Sequence, residues 1–332
     1  MTAQAASTGG RPTWLTIAAW RRLFRDRPLV PLTGLLVLLI LVLELIQPGT
    51  VDEVWVGVTV RAAIPLAILA ACQTLTMLTG GIDLSVGMIA SMAAFILATQ
   101  TPLQGPAVAI ILALAAAAIA GLINGIGIGV FKVHPLIMTL GLSLVILGVM
   151  TVYQLAVVQS GTLVPDFLQW LGSETTLKAL PNSLLLFVPL AILIMGGLRY
   201  SGYGRLLFAV GDNAVAARLS GVRVWAVLLG LYLISALLAA VAGLLLAGLY
   251  KTATVSLVEQ SVLPAVAASV IGGTSILGGR GAYSGTILGA LILTVVSSLL
   301  LALQMPEAAR QVLFGMIIVA VAAAYTRVTG DT

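Results

Sequence analysis

Charge is scarce in this chain: Asp, Glu, Lys and Arg make up 8% of its 332 residues, against about 25% in soluble globular domains. That scarcity excludes a soluble enzyme and a charged disordered tail. The net charge of +5, from 16 basic and 11 acidic residues, is too sparse for a nucleic-acid groove. The lone cysteine, Cys72, cannot form an internal disulfide, and within an apolar run it reads as an inert buried thiol. Lysine is rarer still. Lys132, Lys178 and Lys251 follow Phe131, Leu177 and Tyr250, so no Gly-Lys-Ser/Thr phosphate loop exists and the chain cannot hydrolyse ATP alone. What is abundant is apolar: 60% of residues, with a mean hydropathy of +1.16. The solvent of such a chain is lipid.

A crossing helix needs about 20 apolar residues. Ten runs qualify or nearly so: Leu29 to Gln47, Val58 to Leu78, Val86 to Thr99, Ala107 to Val130, Pro135 to Val158, Ser183 to Leu198, Trp225 to Leu249, Leu263 to Ile271, Ser284 to Leu303 and Gln311 to Tyr325. The third and eighth are short. The first follows a basic segment as a signal peptide would, but Pro48, Gly49 and Thr50 offer no Ala-x-Ala cleavage site, so it reads as a retained span. The expected fold is therefore all-α: a polytopic transmembrane bundle of about ten spans, with a tail at 1–28, a membrane domain at 29–326 and a tail at 327–332.

Basic residues orient it. With the N-terminus in the cytoplasm, the inner side holds Arg11, Arg21, Arg22, Arg25, Arg27, Lys132, Arg199, Arg205, Arg218, Arg223, Arg280 and Arg327, and the outer side only Arg61, Lys178, Lys251 and Arg310. Both termini are then cytoplasmic, as the positive-inside rule expects, and losing one span would spoil the split.

Glycine punctuates the spans. Gly121, Gly125 and Gly129 recur every four residues, as do Gly285 and Gly289, a spacing that lets helix backbones approach closely. Asn124, in the first ladder, must find partners in hydrocarbon, either on a neighbouring helix or along a wet pathway. Two glycine-rich breaks interrupt apolar helices: Thr79-Gly-Gly-Ile-Asp83-Leu-Ser85-Val-Gly87 and Ile271-Gly-Gly-Thr274-Ser275-Ile-Leu-Gly-Gly-Arg-Gly281. Irregular backbone at membrane depth is tolerated only against protein or a wet cavity, and broken helices there often present their ends to a solute. Asp83 can cap the following helix, line a pathway, or both. Between the sixth and seventh spans, Asp212 or Asn213 can start a short helix, Ala214 to Leu219 can form it, and Gly221 can stop it, with Arg218 suiting the dipole of its last turn. It is too short to span. It reads as a surface helix on the cytoplasmic face or as a lever moved by a partner.

TGGIDLSVG (Thr79–Gly87), GLINGIGIGVFKVHPLIMTLG (Gly121–Gly141), GRLLFAVGDNAVAARLSGV (Gly204–Val222) and IGGTSILGGRGAYSGTILGA (Ile271–Ala290) together resemble, in order and spacing, the permease subunits of ribose-type bacterial ABC sugar importers. The resemblance covers nearly the whole chain beyond its N-terminal tail. It departs at Asp212, where many relatives have Gly or Ser, and in Tyr250 to Pro264, which is less polar than in ribose permeases. It implies a multi-pass protein of the bacterial inner membrane and an ATP-driven import of a pentose or hexose by alternating access. It also implies a second permease subunit, a tandem cytoplasmic ATPase that supplies ATP and Mg chemistry, and a periplasmic or lipid-anchored sugar-binding protein. No cofactor is expected on this chain. The expected pathway residues are Asp83, Ser85, Asn124, Thr139, Thr274 and Ser275. The expected coupling residues, in a helix at about 211–221, are Arg205, Gly211, Asp212, Asn213, Ala217, Arg218 and Gly221. With 6% aromatic residues, sugar is expected to transit weakly, since tight sugar sites stack on rings. The alternatives are a proton-coupled sugar carrier using Asp83, and a permease for a nucleoside or a branched-chain amino acid.

Overall fold

The computed structural model describes residues 29–157, 161–176 and 180–306, with isolated positions between 308 and 319. The expected tails at 1–28 and 327–332 lie outside the described residues, as does most of the tenth run, Gln311 to Tyr325. The regular elements described are helical: α1 (Leu29–Ile46), α2 (Glu53–Leu78), α3 (Val86–Gln104), α4 (Pro106–Gly129), α5 (Pro135–Val157), α6 (Asp166–Ser173), α7 (Leu184–Tyr200), α8 (Gly202–Leu219), α9 (Val224–Tyr250), α10 (Val262–Ile271) and α11 (Tyr283–Ala302).

Seven of these are long and apolar enough to cross a membrane, and α7 with α8 forms a further pair bent by 66° at Ser201. The expected eighth span is not a full crossing: α10 has 10 residues, roughly 15 Å of rise against a hydrocarbon core of about 30 Å. The third span is longer than its apolar run, because α3 continues through Gln100, Thr101 and Pro102 to Gln104. The polar stretch after α5 contains an unforeseen helix, α6, which Arg61 of α2 ties down by donating to the Ser173 carbonyl. The segment between the sixth and seventh spans is helical from Gly202 onward, not only after Asp212.

Local chemistry sets these boundaries. Asp52 caps α2 by accepting from Trp55 N at 2.7 Å, and Ser201 caps α8 by accepting from Gly204 N at 2.9 Å. Between α3 and α4, Gly105 takes a φ of 82° ahead of Pro106 at the first helical position.

The centre of the bundle is α9, packed against α2, α3, α4 and α6. Its contact with α4 runs along the glycine ladder. A Cβ on Gly121 would lie 2.7 Å from both Ala236 Cβ and the Tyr232 carbonyl, one on Gly125 2.7 Å from Leu229 Cα, and one on Gly129 2.8 Å from the Trp225 carbonyl. Without side chains on those glycines, the two backbones reach van der Waals contact directly. Gly285 and Gly289 do the same for α11 against Gly272 and Ala268 of the α10 end. The outer helices are apolar toward the surroundings. Leu38, Leu41 and Leu45 of α1 and Ile137, Leu144 and Val152 of α5 are exposed, as lipid-facing residues are.

Candidate functional site

At the first glycine break, α2 ends because Gly80 adopts a φ of 76°. Gly81 N then donates to the Thr76 carbonyl and Gly80 N to that of Met77, which closes the helix end. Two residues later the chain restarts α3 through Asp83. Its Oδ1 accepts from Ser85 N at 3.0 Å and from Ser85 Oγ at 2.6 Å. Its Oδ2 accepts from Ser235 Oγ of α9 at 3.2 Å.

The backbone of Asp83 is clasped as well. Gln73 Nε2 donates to the Asp83 carbonyl at 2.6 Å, and Asp83 N donates to Gln73 Oε1 at 3.3 Å. Asn124 Nδ2 donates to Ser85 Oγ at 2.8 Å. Thr139 of α5 accepts from Leu84 N at 3.1 Å and donates to the Pro135 carbonyl at 2.9 Å. Gln73, Asp83, Ser85, Asn124, Thr139 and Ser235 are all fully buried. Burying a carboxylate without donors is costly, and here three hydrogen bonds supply them. Two polar atoms beside the cluster, Asn124 Oδ1 and Tyr232 Oη, have no partner among the described residues.

Four of the six expected pathway residues thus share one network. Thr274 and Ser275 do not belong to it. Ser275 closes its own turn, donating its N–H to the Arg280 carbonyl at 2.9 Å and accepting from Leu277 N at 3.2 Å. Thr274 Oγ1 is buried without a partner among the described residues. Gln73, Ser235 and Tyr232 went unremarked in the sequence. Gln73 carried a usable signal, an amide inside an apolar run. Ser235 carried none, because a serine hydroxyl in a membrane helix satisfies itself on a local carbonyl so readily, and Tyr232 carried none because its ring reads as ordinary apolar packing.

The two breaks touch each other and α8. Gly279 N donates to the Leu78 carbonyl at 3.0 Å. Gly211 of α8 sits against both: a Cβ there would overlap the Leu78 carbonyl and lie 2.8 Å from Gly279 N. Two residues on, Asn213 leaves helical geometry (φ −156°, ψ 100°) and breaks α8. Its Oδ1 accepts from Val215 N at 3.0 Å and Ala216 N at 2.9 Å, so Asn213 rather than Asp212 starts the terminal segment. Gly221, with a φ of 86°, stops it, and Val222 N reaches back to the Ala217 carbonyl. Ala217 faces inward, while Arg218 is exposed and Val215 and Leu219 are 68% and 84% exposed. Arg205 lies a few turns earlier, exposed, donating to the Tyr200 carbonyl at 3.4 Å.

The described residues thus form a bundle of membrane-length helices with two breaks, a buried polar centre and a short surface segment rooted on both breaks. Residues 57–322 match the family described as branched-chain amino acid transport system / permease component. The chain belongs to this family. The permease is 32% identical to the fructose import permease protein FrcC of Rhizobium meliloti over 78% of this chain and 76% of the relative. It is 35% identical to the ribose import permease protein RbsC of Escherichia coli K12 over 68% and 71%. It is 34% identical to the galactofuranose transporter permease protein YtfT of the same organism over 83% and 80%. No solved structure matches it.

Proposed function

We propose that this chain is the membrane subunit of an ATP-driven importer that passes a monosaccharide, a pentose or hexose, from a soluble or lipid-anchored binding protein into the bacterial cytoplasm. The observation that carries the reading is the seat of Gly211 on both Leu78 and Gly279. In this reading, movement of the short segment after Asn213 is passed through Gly211, two residues before the break, to the two broken helices. The relatives named for fructose, ribose and galactofuranose support a sugar as cargo.

In this reading the N- and C-termini, Lys132, Arg205, Arg218 and Arg280 face the cytoplasm of a multi-pass inner-membrane protein. The span count is ten, with Gln311 to Tyr325 as the last and α10 as a half-span paired with its glycine break. The segment from Gly211 to Gly221 is the coupling helix, offering Val215, Arg218 and Leu219 to a tandem ATPase. ATP and Mg chemistry reside in that partner. A second permease subunit completes the gate, and closure of the ATPase pair switches it between outward and inward access. Asp83, Ser85, Asn124 and Thr139 hold the broken helix along the pathway, and Thr274 and Ser275 shape the opposing loop.

Proteoliposome reconstitution tests this. Uptake of labelled sugar should require this chain, the ATPase, the binding protein and ATP together. Uptake by this chain alone, driven by a proton gradient, would refute it.

A further inference from the structure

Near the opposite end of α3 from Asp83, a half-open cavity of about 250 Å³ lies between α3, the end of α5 and the stretch that follows α9. Its floor is Phe95, Thr99 and Ala253, with Phe95 4% and Thr99 1% exposed, and its rim is Gln154, Thr162 and Thr254, all exposed. Phe95 is nine residues past Val86, about 14 Å along the helix. The cavity is therefore a different place from the Asp83 cluster.

We infer that this cavity is a monosaccharide site at the outer mouth of the permease, the first position the sugar occupies after leaving the binding protein. The inference rests on the reading of the chain as a sugar permease and adds where the sugar sits.

Size, lining and rigidity argue for it. The volume falls below the about 300 Å³ at which drug-sized sites begin, which suits a single sugar ring. Among the described residues, no charged side chain lines the cavity. A free amino acid would leave its carboxylate and ammonium unpaired there, while a neutral polyol needs only neutral donors and acceptors. Those are at hand: among the described residues, the Gln154 amide and the Thr162 and Thr254 hydroxyls have no side-chain hydrogen bond, leaving an amide and two hydroxyls for a ligand.

The aromatic floor is held in place. Phe95 meets Tyr153 edge to face, with ring centroids 6.0 Å apart and planes at 86°. The Tyr153 hydroxyl is bonded to Thr99 Oγ1 at 2.9 Å and accepts from Gln100 Nε2 at 2.6 Å. A lining ring fixed this way loses no rotamer freedom when a sugar packs against it. In a chain with 6% aromatic residues, Phe95 is the aromatic side chain that lines the cavity among the described residues, with Tyr153 supporting it from behind.

The test uses the intact complex in whole cells. The single native thiol, Cys72, is fully buried, so Gln154→Cys and Thr254→Cys each introduce the one accessible thiol among the described residues. Each variant is exposed to a membrane-impermeant maleimide with or without about 50 mM of D-ribose, D-fructose, D-galactose, D-xylose or L-arabinose. That concentration lies well above a weak millimolar affinity.

Both cysteines should label from outside. The sugar that the wild-type complex accumulates should slow labelling by about tenfold or more, as for a ligand at roughly ten times its Kd, and a sugar it does not accumulate should leave the rate unchanged. Phe95→Ala should cut uptake of the transported sugar and abolish its protection of the Thr254→Cys thiol while the variant still labels from outside at the unprotected rate, an outcome that a loss of folding would not give. Labelling only from inside, or labelling indifferent to the transported sugar, overturns the site while leaving the importer reading intact. The importer reading is judged separately, by reconstitution: uptake by this chain alone, driven by a proton gradient, would overturn it and the site with it.

Discussion

Gly279 gives its N–H to the carbonyl of Leu78 at 3.0 Å, so the last residue of α2 and the loop between α10 and α11 are joined by backbone alone. Residues about 200 positions apart in sequence share this bond, and Gly211 covers it. The contact links two broken helices to the root of the short surface segment without a side chain intervening. No flexible side chain lies within this joint.

Gly211→Ala places a methyl group into the Leu78 carbonyl. Overpacking of this kind costs about 1–3 kcal/mol. The expected result is a lower melting temperature and ATP hydrolysis that no longer responds to the loaded binding protein. Normal stimulation of hydrolysis at normal uptake would refute the joint.

Asp83→Asn keeps an oxygen for Ser85 and an amide that can meet Ser235, so transport should survive. Asp83→Ala strands the Ser85 N–H and the hydroxyls of Ser85 and Ser235, at about 1–3 kcal/mol for each buried group left unsatisfied. Thermal unfolding in detergent should register the difference. If Asn abolishes uptake at normal expression, Asp83 works through its charge and not through its bonds.

Asn213→Ala removes the acceptor for Val215 N and Ala216 N, worth about 0.5–2 kcal/mol at a helix start. Amide exchange across 214–219 should quicken, and Asn213→Asp should restore protection. Exchange unchanged in the Ala variant would mean that packing alone holds the segment.

Arg218→Glu reverses the one charge that the terminal segment presents beside exposed Val215 and Leu219. We expect folding to be retained and uptake to fall, with hydrolysis by the partner continuing. Equal uptake by the variant in proteoliposomes would remove Arg218 from the coupling surface.

Gly125→Ala and Gly141→Ala make a matched pair. A Cβ at Gly125 meets Leu229 Cα at 2.7 Å, whereas one at Gly141 meets nothing within 4 Å. The first should lower thermal stability through overpacking, and the second should leave the protomer's unfolding unchanged. Equal melting curves would contradict the close contact of α4 with α9.

The membrane class, most helices and both breaks were legible in the residue order, because apolar length, glycine conformation and helix capping act over a few neighbouring positions. Gly221 stopping its helix is of that kind, and so is the closure of α2 at Gly80. Lengths were less legible. α10 looked like a short span and is a half-helix, while α3 outran its apolar stretch because a helix held by α4 and α9 tolerates Gln100 and Pro102. Of the site, Asp83, Ser85, Asn124 and Thr139 were legible as candidates, but only the local pairing of Asp83 with Ser85 was legible as a contact. That Ser235 faces Asp83 across 152 positions, that Gln73 clasps its backbone, and that Gly211 lies on both breaks are consequences of how the helices pack. No periodicity or spacing encodes those meetings, since each depends on which glycine faces bring which backbones within reach.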